Sequence, residues 1–143
     1  MSIRVLFPCT GNSTRSQMAE HILRHLAGER FDAFSAGTTP RRIHPMTIRA
    51  LNEIGIDADH AQSKGLESFD GQHFDYIITV CDRVRDNCPT FPGDSKRYHW
   101  GFTDPAAFEG SEEAVHNTFC RVRDEITRRT RVWIAVVDKP SGR

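Results

Sequence analysis

Apolar and polar positions divide the chain into alternating strand-like and helix-like stretches. Ile3-Arg4-Val5-Leu6-Phe7-Pro8 is an almost unbroken apolar run, the pattern of a strand buried on both faces. From Ser16 the period changes: Met18, Ile22 and Leu26 recur every fourth residue with Ala19 and Leu23 beside them. This predicts an amphipathic helix that stops near Gly28. Phe31 to Gly37 alternates and predicts a second strand, and Thr38 to Arg42 reads as a loop. Pro45 suits the first position of a helix running to about Gly55, with Ile48 and Leu51 inward. Residues 56–73 are mixed, with a short helix suggested only near Ser63 to Phe69. Asp75-Tyr76-Ile77-Ile78-Thr79-Val80-Cys81 is the clearest strand. The charged stretch Asp82 to Asn87 suits a short helix or a loop, ended by Cys88-Pro89. Lys96 to Trp100 predicts a short edge strand and Gly101 to Gly110 a loop. Val115, Phe119, Val122 and Ile126 mark a long final helix. Trp133 continues its stripe, yet 132–137 is apolar all round, so the pattern leaves the end of that helix open. Lys139 to Arg143 reads as a loose tail.

Strands alternating with helices predict a three-layer α/β/α sandwich around a four-stranded, mostly parallel sheet. At 143 residues, a single domain over 1–143 is expected, large enough to bury a core without staples. Ligands in such sheets bind at the carboxyl ends of the strands. Cys9 and Cys81 both close predicted strands there, and should therefore be neighbours. Charged residues make up 27% of the chain and balance at 19 against 19, which gives no global field for nucleic acid or an anionic membrane. No apolar leader follows Met1 and no run approaches the roughly 18 apolar residues of a membrane span, so a cytoplasmic protein is expected. In that setting the four cysteines point to catalysis, redox chemistry or metal binding rather than structural disulfides.

The candidate chemistry centres on Cys9-Thr10-Gly11-Asn12-Ser13-Thr14-Arg15-Ser16, a Cys-x5-Arg stretch between the first strand and the first helix. A loop at such a junction turns backbone N–H groups and the positive end of the helix dipole into one small space. Five residues are about enough to wrap that space once, and Arg15 adds a planar fork for two oxygens of a tetrahedral oxyanion. The same field favours thiolate over thiol, so Cys9 is expected to be nucleophilic with a lowered pKa. Ser13 and Ser16 are placed to donate to the sulfur or to steady the loop. A buried Cys beside a surface Arg would leave the polar, flexible composition of this loop unexplained.

Other residues are more ambiguous. On a regular helix Cys81 and Cys88 would lie about 10 Å apart along the axis, beyond the roughly 7 Å reach of a disulfide. They are therefore either a relay that needs the segment to unwind, or a core Cys and an incidental loop thiol. Asp104-Pro105 is either a general acid near a bound oxyanion or a plain turn. Cys120 lies one residue off the final apolar stripe and reads as packing. His21 and His25 have zinc-like spacing without a third ligand, and read as a solvated helix face. Arg41-Arg42 and Arg128-Arg129-Arg131 read as solvated, and Trp100-Gly101-Phe102 as loop packing. Nothing calls for a metal or a cofactor.

Cys-x5-Arg after the first strand and Asp-Pro in a late loop resemble the low-molecular-weight tyrosine phosphatase superfamily. More narrowly, the chain is similar to the thioredoxin-coupled arsenate reductases built on that fold. The stretch from Cys9 to Glu20, Ser35-Ala36-Gly37, Thr79-Val80-Cys81, Asn87-Cys88-Pro89 and the stretch from His99 to Ala106 carry the likeness, which covers about residues 3 to 130. The resemblance implies that Cys9 attacks arsenate held by the loop amides and Arg15, while Asp104 protonates the departing oxygen. Cys81 then attacks the Cys9–arsenic adduct, releasing arsenite and leaving a Cys9–Cys81 disulfide. Cys88 attacks that bond, and thioredoxin reduces the resulting Cys81–Cys88 disulfide. Thr14 stands where some relatives carry a further Cys, which this relay does not use. Some relatives bind potassium through residues matching Asn12, Glu20 and Ser35 plus an Asp; here Lys64 stands at the Asp position, implying an ammonium in place of the ion.

The expected ligands are arsenate, with phosphate or sulfate as competitors, and thioredoxin, for a monomer that binds no nucleic acid or membrane. The alternative is a protein tyrosine phosphatase using Cys9, Arg15 and Asp104, with water resolving the adduct. Phosphatases of this fold usually carry paired Tyr after Asp-Pro; here Ala106-Ala107-Phe108 follows. Weak phosphatase activity on small esters is still expected. A third reading is a non-catalytic oxyanion sensor, against which an intact nucleophile, Arg and Asp argue.

Overall fold

The computed structural model describes residues 2–81 and 91–137. Strands β1 (Ile3–Cys9), β2 (Phe31–Gly37), β3 (Tyr76–Thr79) and β4 (Lys96–His99) form one sheet in the order β2-β1-β3-β4. All three pairings are parallel, so the mostly parallel sheet expected is wholly parallel. β1 pairs with β2 along its whole length, from Ile3↔Phe31 to Cys9↔Gly37. On its other side β1 holds β3 through Val5↔Tyr76 and Leu6↔Ile77. As the second strand of the order, β1 is flanked on both edges and covered on both faces, which its apolar run requires. Its carboxyl end therefore lies inside that rim of the sheet and not at an edge.

Alternating side chains of β1 feed two cores. Val5 and Phe7 join a large cluster with Met18, Ile22, Ile78 and Phe119. Leu6 joins a smaller one with Leu66, Phe69, Phe74, Ile77 and Phe91. The first is covered by α1 (Arg15–Ala27), α2 (Pro45–Asn52) and α3 (Glu112–Val137). Over the second, among the described residues, lies a 3-10 turn at Leu66–Phe69 with its flanking loops. The short helix expected near Ser63 to Phe69 is this single tight turn.

The helix ends follow local chemistry. Pro45 opens α2, and Nδ1 of His44 accepts a bond from the Met46 amide at 3.1 Å. Ser111 caps α3, its hydroxyl accepting from the Ala114 amide at 3.1 Å, with Glu112 and Glu113 in the first turn. The apolar run 132–137, left open by its pattern, stays helical: Trp133 is buried while Val132 and Val136 face outward. β3 is shorter than the predicted strand: Asp75 bonds Arg4 and Lys96 through its backbone but takes the Arg4 amide on its carboxylate, and Val80 and Cys81 run beyond the paired residues. His21 departs from the expected solvated face: it is buried, with Nδ1 2.8 Å from the Gln17 carbonyl. Among the described residues no helix is long and apolar enough to cross a membrane. The expectations for Asp82 to Pro89, Cys88 included, and for the 139–143 tail lie outside the described residues.

Candidate active site

β1 delivers Cys9 to the rim of the sheet, and residues 10–14 wrap from there into the first turn of α1. Every carbonyl of the wrap is taken up on its outer side. Cys9 O accepts from the Thr38 amide, Thr10 O from Thr39 and Gly11 O from Arg41, at 3.0, 2.9 and 2.8 Å. Asn12 O accepts from Gln17 Nε2, Ser13 O from the His44 amide and Thr47 hydroxyl, and Thr14 O from the Met18 amide. In a planar trans peptide the N–H points opposite the C=O, so carbonyls anchored outward turn the following amides inward. The wrap is thus a ring of donors around an anion-sized space, at a helix N-terminus.

Asn12 fixes the curl. Its φ of 50° lies in the left-handed region, which Asn tolerates better than most residues. Its fully buried amide donates to Ser16 and Ser35 hydroxyls, both at 2.9 Å, and accepts from Gln17 Nε2 and the Lys64 amide. The Ser35 hydroxyl passes on to Glu20 Oε1 at 2.5 Å. Glu20 is buried and held by Arg24 at 2.6 Å and by Lys64 Nζ at 3.6 Å. Gly37 completes the support: a Cβ there would sit 2.5 Å from Thr10 O and 3.0 Å from Asn12 N. Only glycine lets β2 approach the wrap this closely.

A cavity of about 510 Å³ lies over this ring, lined by Cys9 through Arg15 and by Arg41, Cys81, Asp104 and Ala106. The cysteines at the ends of β1 and β3 thus meet, as the topology demanded. Arg15 is pinned by an Nη1 bond to the Phe102 carbonyl at 3.1 Å, and its Nη2 lies 3.6 Å from Asp104 Oδ2. Asp104 in turn accepts the Ala106 amide at 3.0 Å, capping the 3-10 turn Pro105–Ala107. Of the residues expected to hold an oxyanion, Thr10 to Arg15 line the cavity and Ser16 does not. Ser16 is fully buried behind the wrap, where it accepts from Asn12. Thr10 Oγ1 lies 3.6 Å from Cys81 Sγ. Cys88 is outside the described residues.

The electrostatics correct one expectation. The low pKa foreseen for Cys9 falls on Cys81, which drops to about 5. The hydrogen bond from Cys9 is the main cause, aided by the Thr10 hydroxyl and amide and by Arg15, against the opposing effect of burial. Cys9 moves upward, through that same bond and through burial, which outweigh Arg15 and the Thr10 amide. The two sulfurs share one proton and one negative charge, so the ionisation belongs to the pair.

Sequence reasoning missed Arg41. It is exposed, as its cluster reads, but it follows β2 on the same rim and its side chain packs over Gly11 at the cavity wall. The rule that ligands bind at the carboxyl ends of the strands, applied to the loop after β2 as well as to that after β1, would have found it.

A parallel sheet whose central strand ends in a cysteine-floored anion loop, closed by a helix, defines the phosphatase-like oxyanion-loop class of α/β folds. The chain belongs to the low molecular weight phosphotyrosine protein phosphatase family, which it matches over residues 4–142. Within it, the chain is 40% identical over 129 residues to an arsenate reductase of Halalkalibacterium halodurans, spanning 90% of this chain and 93% of that one. Among solved structures it is similar to an arsenate reductase in the phosphate binding state, at 29% identity and TM-score 0.75, covering 95% and 99% of the two chains. It is also similar to a thioredoxin-dependent arsenate reductase of Corynebacterium glutamicum, at 29% identity and TM-score 0.69, covering 95% of this chain and 61% of that one.

Proposed function

We propose that this protein reduces arsenate to arsenite through Cys9, Cys81 and Cys88, and that thioredoxin restores the thiols. The observation that carries this reading is the Cys9–Cys81 pair on the floor of the oxyanion ring. A phosphatase needs one sulfur there; a second, in hydrogen-bond contact with the first, is what a disulfide-forming step needs. The relatives named arsenate reductase support the substrate, and the thioredoxin-dependent one supports the electron donor.

Arsenate enters the ring of amides and is clamped by Arg15. The shared proton passes from Cys9 to Cys81, and the Cys9 thiolate bonds to arsenic. One oxygen leaves as water, with Asp104 supplying a proton. Cys81 returns its proton to the Asp104 carboxylate, its thiolate favoured by Thr10 and Arg15, and attacks Cys9 Sγ. The sulfur–arsenic bond breaks with its electron pair left on arsenic, so As(V) becomes As(III), and arsenite departs from a Cys9–Cys81 disulfide. Cys88 attacks Cys81 and frees Cys9; the dithiol of thioredoxin takes the remaining oxidation. Such chemistry belongs to a reducing compartment, and we place the protein in the cytoplasm as a single-domain monomer.

The test is arsenate-dependent NADPH consumption coupled through thioredoxin and thioredoxin reductase. Wild type should turn over steadily and Cys88→Ser should stop after one turnover. Turnover surviving in Cys88→Ser would mean that an outside thiol resolves the adduct. No arsenate-dependent turnover, with brisk phosphotyrosine hydrolysis indifferent to Cys88→Ser, would assign the site to a phosphatase.

A further inference from the structure

A second convergence of chemical side chains lies where the end of α2 meets the flank of α3. Glu53, the residue that terminates α2, points its carboxylate at His116 and Cys120, which occupy successive turns on one side of α3. His116 Nε2 lies 2.8 and 3.0 Å from the two Glu53 oxygens. Cys120 Sγ lies 3.4 Å from Glu53 Oε1 and 3.4 Å from His116 Nε2. Three donor atoms of three kinds thus form a small triangle, contributed by two elements distant in sequence.

The arrangement superficially suggests a Cys-His-Glu relay, but its geometry argues otherwise. A relay uses both ring nitrogens, one toward the sulfur and one toward the carboxylate. Here the same nitrogen, Nε2, faces both. One nitrogen, one oxygen and one sulfur converging on a common point is instead the pattern of a ligand set. Around tetrahedral zinc, bond lengths of about 2.0–2.3 Å put nitrogen and oxygen ligands about 3.3 Å apart and sulfur about 3.6 Å from either. The triangle needs to open by only a few tenths of an ångström.

We propose that Glu53, His116 and Cys120 form a binding site for a borderline divalent cation of the zinc type, with a fourth position open to water. Binding joins the metal to Cys120 sulfur, His116 Nε2 and Glu53 Oε1, and the thiol proton leaves to the buffer. The donor set selects the class: imidazole and thiolate favour zinc over calcium or magnesium, which take oxygens. Arg123 sharpens this selection. Its Nη1 is anchored to the Ala50 carbonyl at 2.9 Å and lies 3.5 Å from Cys120 Sγ and 3.6 Å from Glu53 Oε1. A fixed positive charge beside the site disfavours cations held by charge alone and leaves those that form a metal–thiolate bond. His116 and Cys120 are only partly covered, which leaves an entry path. A bound ion would clip α2 to α3 without touching the Cys9 cavity.

The probe is Co2+, whose thiolate complex absorbs in the near ultraviolet, followed by competition with Zn2+. In full-length Cys9→Ser/Cys81→Ser/Cys88→Ser, Cys120 is the sole thiol, so a thiolate–cobalt band reports this site alone. One Co2+ per chain is expected, displaced by Zn2+, with binding at least tenfold weaker after His116→Gln or Glu53→Gln. No band, or a band indifferent to both changes, would overturn the proposal. Should the triple variant not fold, equilibrium dialysis of Zn2+ against wild type and Cys120→Ser decides: one ion fewer in the variant supports the site, and equal stoichiometry overturns it. Arsenate turnover of Cys120→Ser should match wild type.

Discussion

At the scale of single residues, the site is governed by one proton between two sulfurs. The Cys9–Cys81 pair gives up its first proton at about 5, with the charge on Cys81, whereas an unfolded thiol ionises near 9.0. Between these values the unfolded chain binds a proton that the folded chain does not. Stability contributed by Cys81 is therefore present above the unfolded value and lost as pH falls toward 5. Two results are expected: an ultraviolet thiolate transition with a midpoint near 5 that disappears in Cys81→Ser, and a melting-temperature gap between wild type and that variant that narrows as pH falls through this window. A midpoint at the ordinary thiol value would mean that the Cys9–Cys81 bond does not form in solution. The pairing also explains why the sequence misplaced the thiolate. Loop amides and Arg15 were legible from Cys-x5-Arg, but the partner sulfur arrives from β3, and its hydrogen bond with Cys9 assigns the proton.

At the scale of elements, legibility follows how local the cause is. β1, α1 and β2 could be read from apolar period alone, because each obeys its own local pattern, although β2 is an edge strand. The strand bounds at β3 could not, since they depend on where its neighbours stop. The support of the anion loop was half visible. Gly37 stands out only once β2 is laid beside the wrap, where a Cβ would strike Thr10 O. The segment at 62–64 lies in a stretch of mixed pattern at the edge of the short helix suggested there, yet it binds β2 and α1 together: Lys64 O accepts the Gly37 amide, its own amide donates to Asn12, and its ammonium faces Glu20. With that ammonium beside the buried carboxylate, an added monovalent cation finds its charge already supplied. Arsenate turnover at equal ionic strength should therefore be the same in potassium and sodium salts. Clear stimulation by potassium would show that Lys64 leaves room for an ion, and Lys64→Met should in either case lower turnover by disturbing Glu20 and the loop behind it.

At the scale of the whole molecule, one side chain of α3 gathers the sheet. Trp133 packs against Phe31 of β2 at 5.2 Å, Tyr76 of β3 at 5.1 Å, and Trp100 just past β4 at 5.9 Å between ring centroids. The helix had to persist beyond Ile126 for this contact to exist, which is why the all-round apolar run could not be resolved locally. Its indole nitrogen is buried without a hydrogen-bond partner among the described residues, so there the ring contributes area and shape rather than a polar contact. Trp133→Ala should therefore destabilise the fold by about 3–5 kcal/mol. Trp133→Phe keeps an aromatic face while deleting the unpartnered N–H, and should lose no more than about 2 kcal/mol. Chemical denaturation of both variants measures the difference. Below their transitions both should retain wild-type kcat/KM for arsenate, because the rings that Trp133 meets, Phe31, Tyr76 and Trp100, are not the residues Asn12, Gly37 and Glu20 that brace the anion loop. A Phe variant as unstable as the Ala variant would mean that the indole N–H has a partner in solution. Loss of activity without loss of stability would mean that the stack through Trp100 also sets Arg15, by way of the Phe102 carbonyl that holds it.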